Sequence, residues 1–137
     1  MPLTNYTQAK ILGLLLQDVS YGPLADVYVA LSTTTPAEAG TGFTEPSGNA
    51  YARVTVAANT TNFPAPTEGA SGSTISNGTA ITFPQATGSW GTVTYVGLYD
   101  AATAGNLLAY GALTTSQTIS SGGQLSFAIG EMALTLN

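Results

Sequence analysis

Two periodicities divide the chain. Over its first eighteen or so residues Ile11, Leu12, Leu15, Leu16 and Val19 recur at helical spacing, with Lys10, Gln17 and Asp18 off that stripe. The spacing predicts a short N-terminal α-helix. Asn5 is placed to cap it, and Gln8 three residues later completes a capping-box pattern. Gly13 weakens the helix, by up to roughly 1 kcal/mol relative to alanine, and "SYGP" at 20–23 ends it. The stripe reads either as core or as a docking face, because an amphipathic terminal helix can lie in a partner's groove. On the second reading Ile11, Leu12, Leu15 and Leu16 bind the partner.

The rest of the chain alternates or runs apolar in short stretches, which predicts strands. "VYVALS" (27–32) is followed by a long loop, 33–49. "AYARVTVAA" (50–58) alternates, with Ala52, Val54 and Val56 on one face and Tyr51, Arg53 and Thr55 on the other. A second long loop, rich in Thr, Asn, Pro, Ser and Gly, runs from 59 to about 78, and "TAITFP" (79–84) is a short strand closed by Pro84. "GTVTYVGLY" (91–99) is apolar on both faces, with Val93, Tyr95 and Tyr99 on one and Val96 and Leu98 on the other; "NLLAYGAL" (106–113) behaves likewise. Two-sided strands belong in the middle of a covered sheet. "DAATAGN" between them has the length and chemistry of a hairpin loop. "SSGG" (120–123) is a turn, "QLSFAIG" (124–130) puts Leu125, Phe127 and Ile129 on one face, and "MALTLN" closes the chain. Seven or eight short strands with such turns predict an all-β fold, an antiparallel β-sandwich of jelly-roll type. The expected organisation is a helical arm over 1–22 and one β-sandwich domain over 23–137.

Composition narrows what such a domain does. The chain has 137 residues, 44% hydrophobic, enough for a core. Only 7% are charged, against roughly 25% in an ordinary soluble domain, so Ser, Thr, Asn and Gln carry the surface. Seven acids oppose two bases, Lys10 and Arg53, for a net charge of −5. Nucleic acid and anionic membrane are therefore not expected partners, since both require several cations to displace counterions. No stretch approaches a membrane span, and residues 11–16 are too short for a signal h-region.

With no histidine and no cysteine, Ser–His–Asp and Cys–His hydrolysis, His-ligated zinc and thiol chemistry are unavailable within one chain. Lys10 lacks a Gly-rich phosphate loop. A carboxylate pair is the remaining hydrolytic template. Glu45, Glu68, Asp100 and Glu131 are its candidates, but they lie in separate loops and turns and read as solvated turn acids. "DAATAGN" lacks the oxygen-ligand density of a calcium loop. No catalytic residue, cofactor or metal is expected. Arg53, inside a strong strand, reads as a structural ion pair with Glu45 or Asp100 rather than an anion clamp. Three N-x-[ST] sequons, at Asn5, Asn59 and Asn77, arise readily in a chain so rich in Asn and Thr. Trp90, the single tryptophan, reads as a buried corner leading into the strand at 91–99 rather than an exposed platform.

Several stretches together resemble a family of small bacteriophage virion proteins: "VYVALSTTTPAEAGTGFTEPSGNAYARVTV", "NGTAITFPQATGSWGTVTYVGLYDAATAGNLLAYGAL" and "FAIGEMALTLN". The resemblance runs from about Ala25 to Asn137, and its most specific part is W-G-T-V followed by G-L-Y-D-A and N-L-L-A-Y-G-A-L. One departure is Ala50, where the family commonly has glycine before the Y-A-R-V tyrosine. Members are usually tail-fibre or minor structural proteins, and similar β-folds decorate or cement capsids. The resemblance implies a non-enzymatic virion structural protein, assembled in the host bacterial cytoplasm. Its expected partners are copies of itself, as a homotrimer, and other virion proteins. The leading expectation is a capsid decoration or cement protein on the outer head surface, bound to the major capsid protein. The alternatives are a tail fibre or baseplate component bound to tail proteins, and a host-glycan module using Tyr6, Tyr21 or Trp90.

Overall fold

The computed structural model describes residues 1–136. Asn137, at which the expected last strand and domain end, lies outside the described residues. The fold is an all-β antiparallel sandwich with one short N-terminal helix, α1 (Asn5–Leu16). A four-stranded sheet has the order β2 (Val54–Ala57), β1 (Asp26–Ser32), β6 (Gly91–Tyr99), β7 (Leu107–Ile119). Facing it are a three-stranded sheet, β3 (Thr67–Gly69), β4 (Gly72–Ser76), β9 (Ala133–Leu136), and a two-stranded one, β5 (Ile81–Thr82) with β8 (Ser126–Phe127).

The core lies between these layers. Val29, Leu31, Val93, Val96 and Ile119 from the large sheet meet Ile81, Phe83, Leu125, Phe127 and Met132 from the opposite side. Each such side chain fully buried contributes about 1.5–3 kcal/mol. The large sheet is covered on its other face too. There Ala30, Tyr99 and Leu107 pack with Tyr28, Tyr110 and Phe43 of the 33–49 loop. Gly97 lies under that loop: a Cβ there would come within 2.5 Å of the Phe43 ring and 2.8 Å of Leu107. The apolar character of 91–99 on both faces follows from this double cover.

The structure corrects several sequence expectations. Val93 joins Val96 and Leu98 in the main core rather than Tyr99. The cause is a bulge, since Val93 pairs with Gln117 and Tyr95 with Ala112, leaving Thr94 opposite residues 113–116. An irregularity of this kind switches the face on which later side chains emerge. It also lets β7 run on to Ile119, past its expected end at 113. The expected strand at 50–58 shrinks to β2, because Asn49 and Ala50 both have left-handed φ angles (+52° and +65°) and form a turn. The expected loop at 59–78 contains the β3–β4 hairpin, whose residues are too polar to reveal alternation. The strands at 79–84 and 124–130 reduce to two paired residues each, and Ile129 is turned outward rather than joining Leu125 and Phe127.

At the N-terminus Thr4, not Asn5, occupies the cap position. Its hydroxyl turns away from the helix and donates to the carbonyls of Leu107 and Leu108. Thr7 Oγ1 donates to Leu108 O at 2.8 Å, and Leu3 forms a single isolated antiparallel bridge with Ala109. Met1, Leu3 and Tyr6 pack against the main core. The base of the arm is thereby built into the sandwich. The helix stops at Leu16, before "SYGP", with Asp18 at φ +53° turning the chain away.

Candidate functional site

Trp90 is 4% exposed and closes a corner between two loops. Its indole N–H donates to Asn49 O at 2.9 Å, and its ring meets Tyr51 edge-on at 5.3 Å. Gly91, at φ +78°, supplies the left-handed turn that carries the chain from the indole into β6. The indole faces are covered, so the glycan-platform reading loses this residue.

Tyr51 links that corner to a charged cluster. Its hydroxyl accepts from the Leu31 N–H at 3.0 Å and donates to Glu45 Oε1 at 2.8 Å. Glu45 in turn accepts from Arg53 Nε (3.0 Å) and Nη2 (2.7 Å), a bidentate pair, and the Arg53 side chain is only 6% exposed. Arg53 Nη1 donates to the carbonyls of Ala101 and Ala104 at 2.7 and 2.8 Å. The guanidinium lies 3.7 Å over the Tyr99 ring. Of the two acids offered by the sequence, Glu45 is the partner of Arg53. Asp100 instead accepts from the Asn106 backbone and side chain, closing its own hairpin.

Ionisation states follow from these surroundings. Burial pushes the Tyr51 pKa far above the ordinary tyrosine value; the Leu31 hydrogen bond opposes this and the Glu45 charge adds to it. Tyr99 is also raised, by burial, against the pull of Arg53. Burial acts to lower the Arg53 pKa, but hydrogen bonding and charge from Glu45 outweigh it and raise the net value. With its guanidinium saturated, Arg53 has little left to offer an anion.

The remaining candidates lie apart from one another. Glu131 accepts from the Ala128 N–H within a turn, and Glu68 sits exposed on β3. Among the described residues no group of three or more His, Cys, Asp or Glu is placed to hold a metal ion. Of the sequons, Asn77 is 1% exposed and its amide is fully engaged, donating to Thr79 and Ala128 carbonyls and accepting from the Met132 N–H. It is a buried clamp between the ends of β4 and β9. Nothing in the residue pattern distinguishes this role, because a sequon and a structural asparagine look alike. Tyr6 is half-buried, with Lys10 Nζ 5.4 Å from its ring centre, and Tyr21 is half-buried as well.

Most of the exposed large apolar side chains among the described residues stand on α1 or just after it, with Ile129 and Leu136 exposed elsewhere. Leu12, Leu15 and Leu16 are 57%, 70% and 79% exposed, with Leu14 and Val19 also open. Ile11 is turned partly toward the body, so the outward face is narrower than the sequence stripe. Among the described residues no helix is long and apolar enough to cross a membrane.

A bacteriophage virion structural protein of the fibre type is the class to which this sandwich belongs. Residues 2–135 match the family described as Podophage GP4 fiber I protein gp80, and the chain belongs to that family. The match takes in α1, whereas the resemblance seen in the sequence began only at about Ala25. No curated protein matches the chain.

Proposed function

We propose that this chain is a non-enzymatic building block of the tail fibre of a short-tailed phage. The observation that carries the reading is the family match over residues 2–135, whose description is a fibre protein. That description favours the tail over the head, and so favours a fibre component over a capsid decoration or cement protein. The geometry supports a structural role. The charged groups near the Trp90 corner are tied into a loop cluster, and most of the exposed large apolar side chains stand on or beside α1. Rigid loops on a sandwich suit repeated contacts, and symmetric assembly as a homotrimer multiplies a modest contact. Tail proteins are the further partners; the shortage of cations argues against nucleic acid.

Gold-labelled antibody against the chain, imaged on intact virions, tests this. Label confined to the tail, with a copy number divisible by three, is the expected result. Label spread over the head surface would return the protein to the decoration role.

A further inference from the structure

Asn77–Gly78 is the only Asn-Gly step in the chain. In an unfolded peptide such a step is labile, because glycine leaves its own nitrogen unhindered beside the asparagine amide. Asparagine counts among the thermolabile residues. The fold nevertheless requires both residues here.

Asn77 is 1% exposed, and every polar group it has is engaged. Its Nδ2 donates to Thr79 O at 2.8 Å and to Ala128 O at 2.9 Å, and its Oδ1 accepts from the Met132 N–H at 2.9 Å. Its backbone N–H donates to Met132 O at 3.1 Å, and its carbonyl accepts from the Gly130 N–H at 2.9 Å. These bonds carry the β4–β9 ladder one step past Ser76 and tie it to the turn after β8. Gly78 has no room for a side chain. A Cβ there would run into Thr61 O and come within 2.8 Å of the Pro64 ring. The Gly78 N–H donates to Asn62 O at 2.7 Å. Deamidation needs that nitrogen to lose its proton and turn onto Asn77 Cγ, which breaks the bond to Asn62. Departure of Nδ2 breaks two more.

We propose that Asn77–Gly78 is a latent modification site, closed in the folded chain and opened by unfolding, at which deamidation makes unfolding irreversible. In the opened chain the deprotonated Gly78 nitrogen attacks Asn77 Cγ. A new C–N bond forms, the Cγ–Nδ2 bond breaks, and Nδ2 leaves as ammonia. Water then adds to one carbonyl of the succinimide and opens it to aspartate or isoaspartate. Neither product rebuilds the clamp. An aspartate carboxylate has no N–H for Thr79 O and Ala128 O, and it sets a buried negative charge against both oxygens. Isoaspartate adds a methylene to the main chain and breaks the register with Met132 and Gly130. Chemical modification of the unfolded state is one general route to irreversible denaturation. None of this depends on the fibre reading above.

Peptide mapping by mass spectrometry tests this on the unaltered chain, aged in neutral buffer with and without denaturing guanidinium chloride. Conversion at residue 77 should be at least about a hundredfold slower in the folded chain, because it runs through an opened state of small population. When denaturant is removed from the aged sample, a protease should spare molecules that retain Asn77 and digest those carrying aspartate or isoaspartate. Asn77→Asp, made directly, should lower the urea midpoint by at least about 1 M or leave the chain unfolded. Three results overturn the proposal: equal conversion in folded and unfolded chains, a protease-resistant fraction as rich in modified residue 77 as the digested one, or unchanged stability in Asn77→Asp. The first two use no variant, so they hold whether or not Asn77→Asp folds.

Discussion

At the scale of single residues, Trp90 and Tyr51 join the two loops that no backbone ladder connects. The indole fills the corner while its N–H shares Asn49 O with the Thr87 N–H, so truncation opens a cavity and removes one of that carbonyl's two hydrogen bonds. Trp90→Ala should cost about 3–5 kcal/mol of unfolding free energy by denaturant titration; a loss below about 1 kcal/mol would mean that the corner closes without it. Tyr51 makes a pH-dependent contribution of known sign. Its folded pKa lies above that of the unfolded chain, near 10. The stabilisation is therefore complete below about pH 10 and lost as pH rises beyond it, because unfolding then releases a proton. Each such group contributes a slope of up to about 1.4 kcal/mol per pH unit. The melting temperature should fall between about pH 10 and 12, and Tyr51→Phe should flatten that fall even while lowering stability at neutral pH. An unchanged alkaline slope in the variant would assign the titration elsewhere.

At the scale of elements, α1 is held at its base. The hydroxyls of Thr4 and Thr7 bond to β7 carbonyls where a helix cap would ordinarily turn inward. Replacing both by valine keeps the shape and removes the donors. We expect Thr4→Val/Thr7→Val to lower global stability by about 1–3 kcal/mol and to speed amide exchange in α1 more than in β1 or β6. Equal protection of α1 before and after would show that core packing of Met1, Leu3 and Tyr6 alone anchors it. The bulge in the β6–β7 pair was not legible in the sequence. Strict alternation describes each strand alone, whereas a bulge is a property of two strands and the loop space around them.

At the scale of the whole molecule, the chain presents few charges, and Arg53 is already neutralised by Glu45. Association through apolar surfaces should accordingly change little between about 0.05 and 0.5 M NaCl, where screened ion pairs would weaken, and should strengthen in sulfate. Sedimentation equilibrium at several salt concentrations checks this. A steep loss of association with added NaCl would point to an electrostatic contact instead.

Legible from the residues alone were the β-rich architecture, the central strand at 91–99, the terminal helix, the shortage of groups for histidine, thiol or phosphate-loop chemistry, and the kinship with virion proteins. All but the kinship rest on local periodicity and composition, which neighbouring residues set; the kinship rests on the quoted stretches that resemble the family. Packing in three dimensions set the rest: Arg53 chooses Glu45, Asn77 is a buried clamp, Thr4 reaches across to β7 and the helix shows its leucines outward. Those choices join residues as far apart as Thr4 and Leu108, and depend on which loops close over which face. A one-dimensional pattern carries no record of that closure. It specifies that leucines recur every three or four positions, and packing alone fixes which of them the body covers.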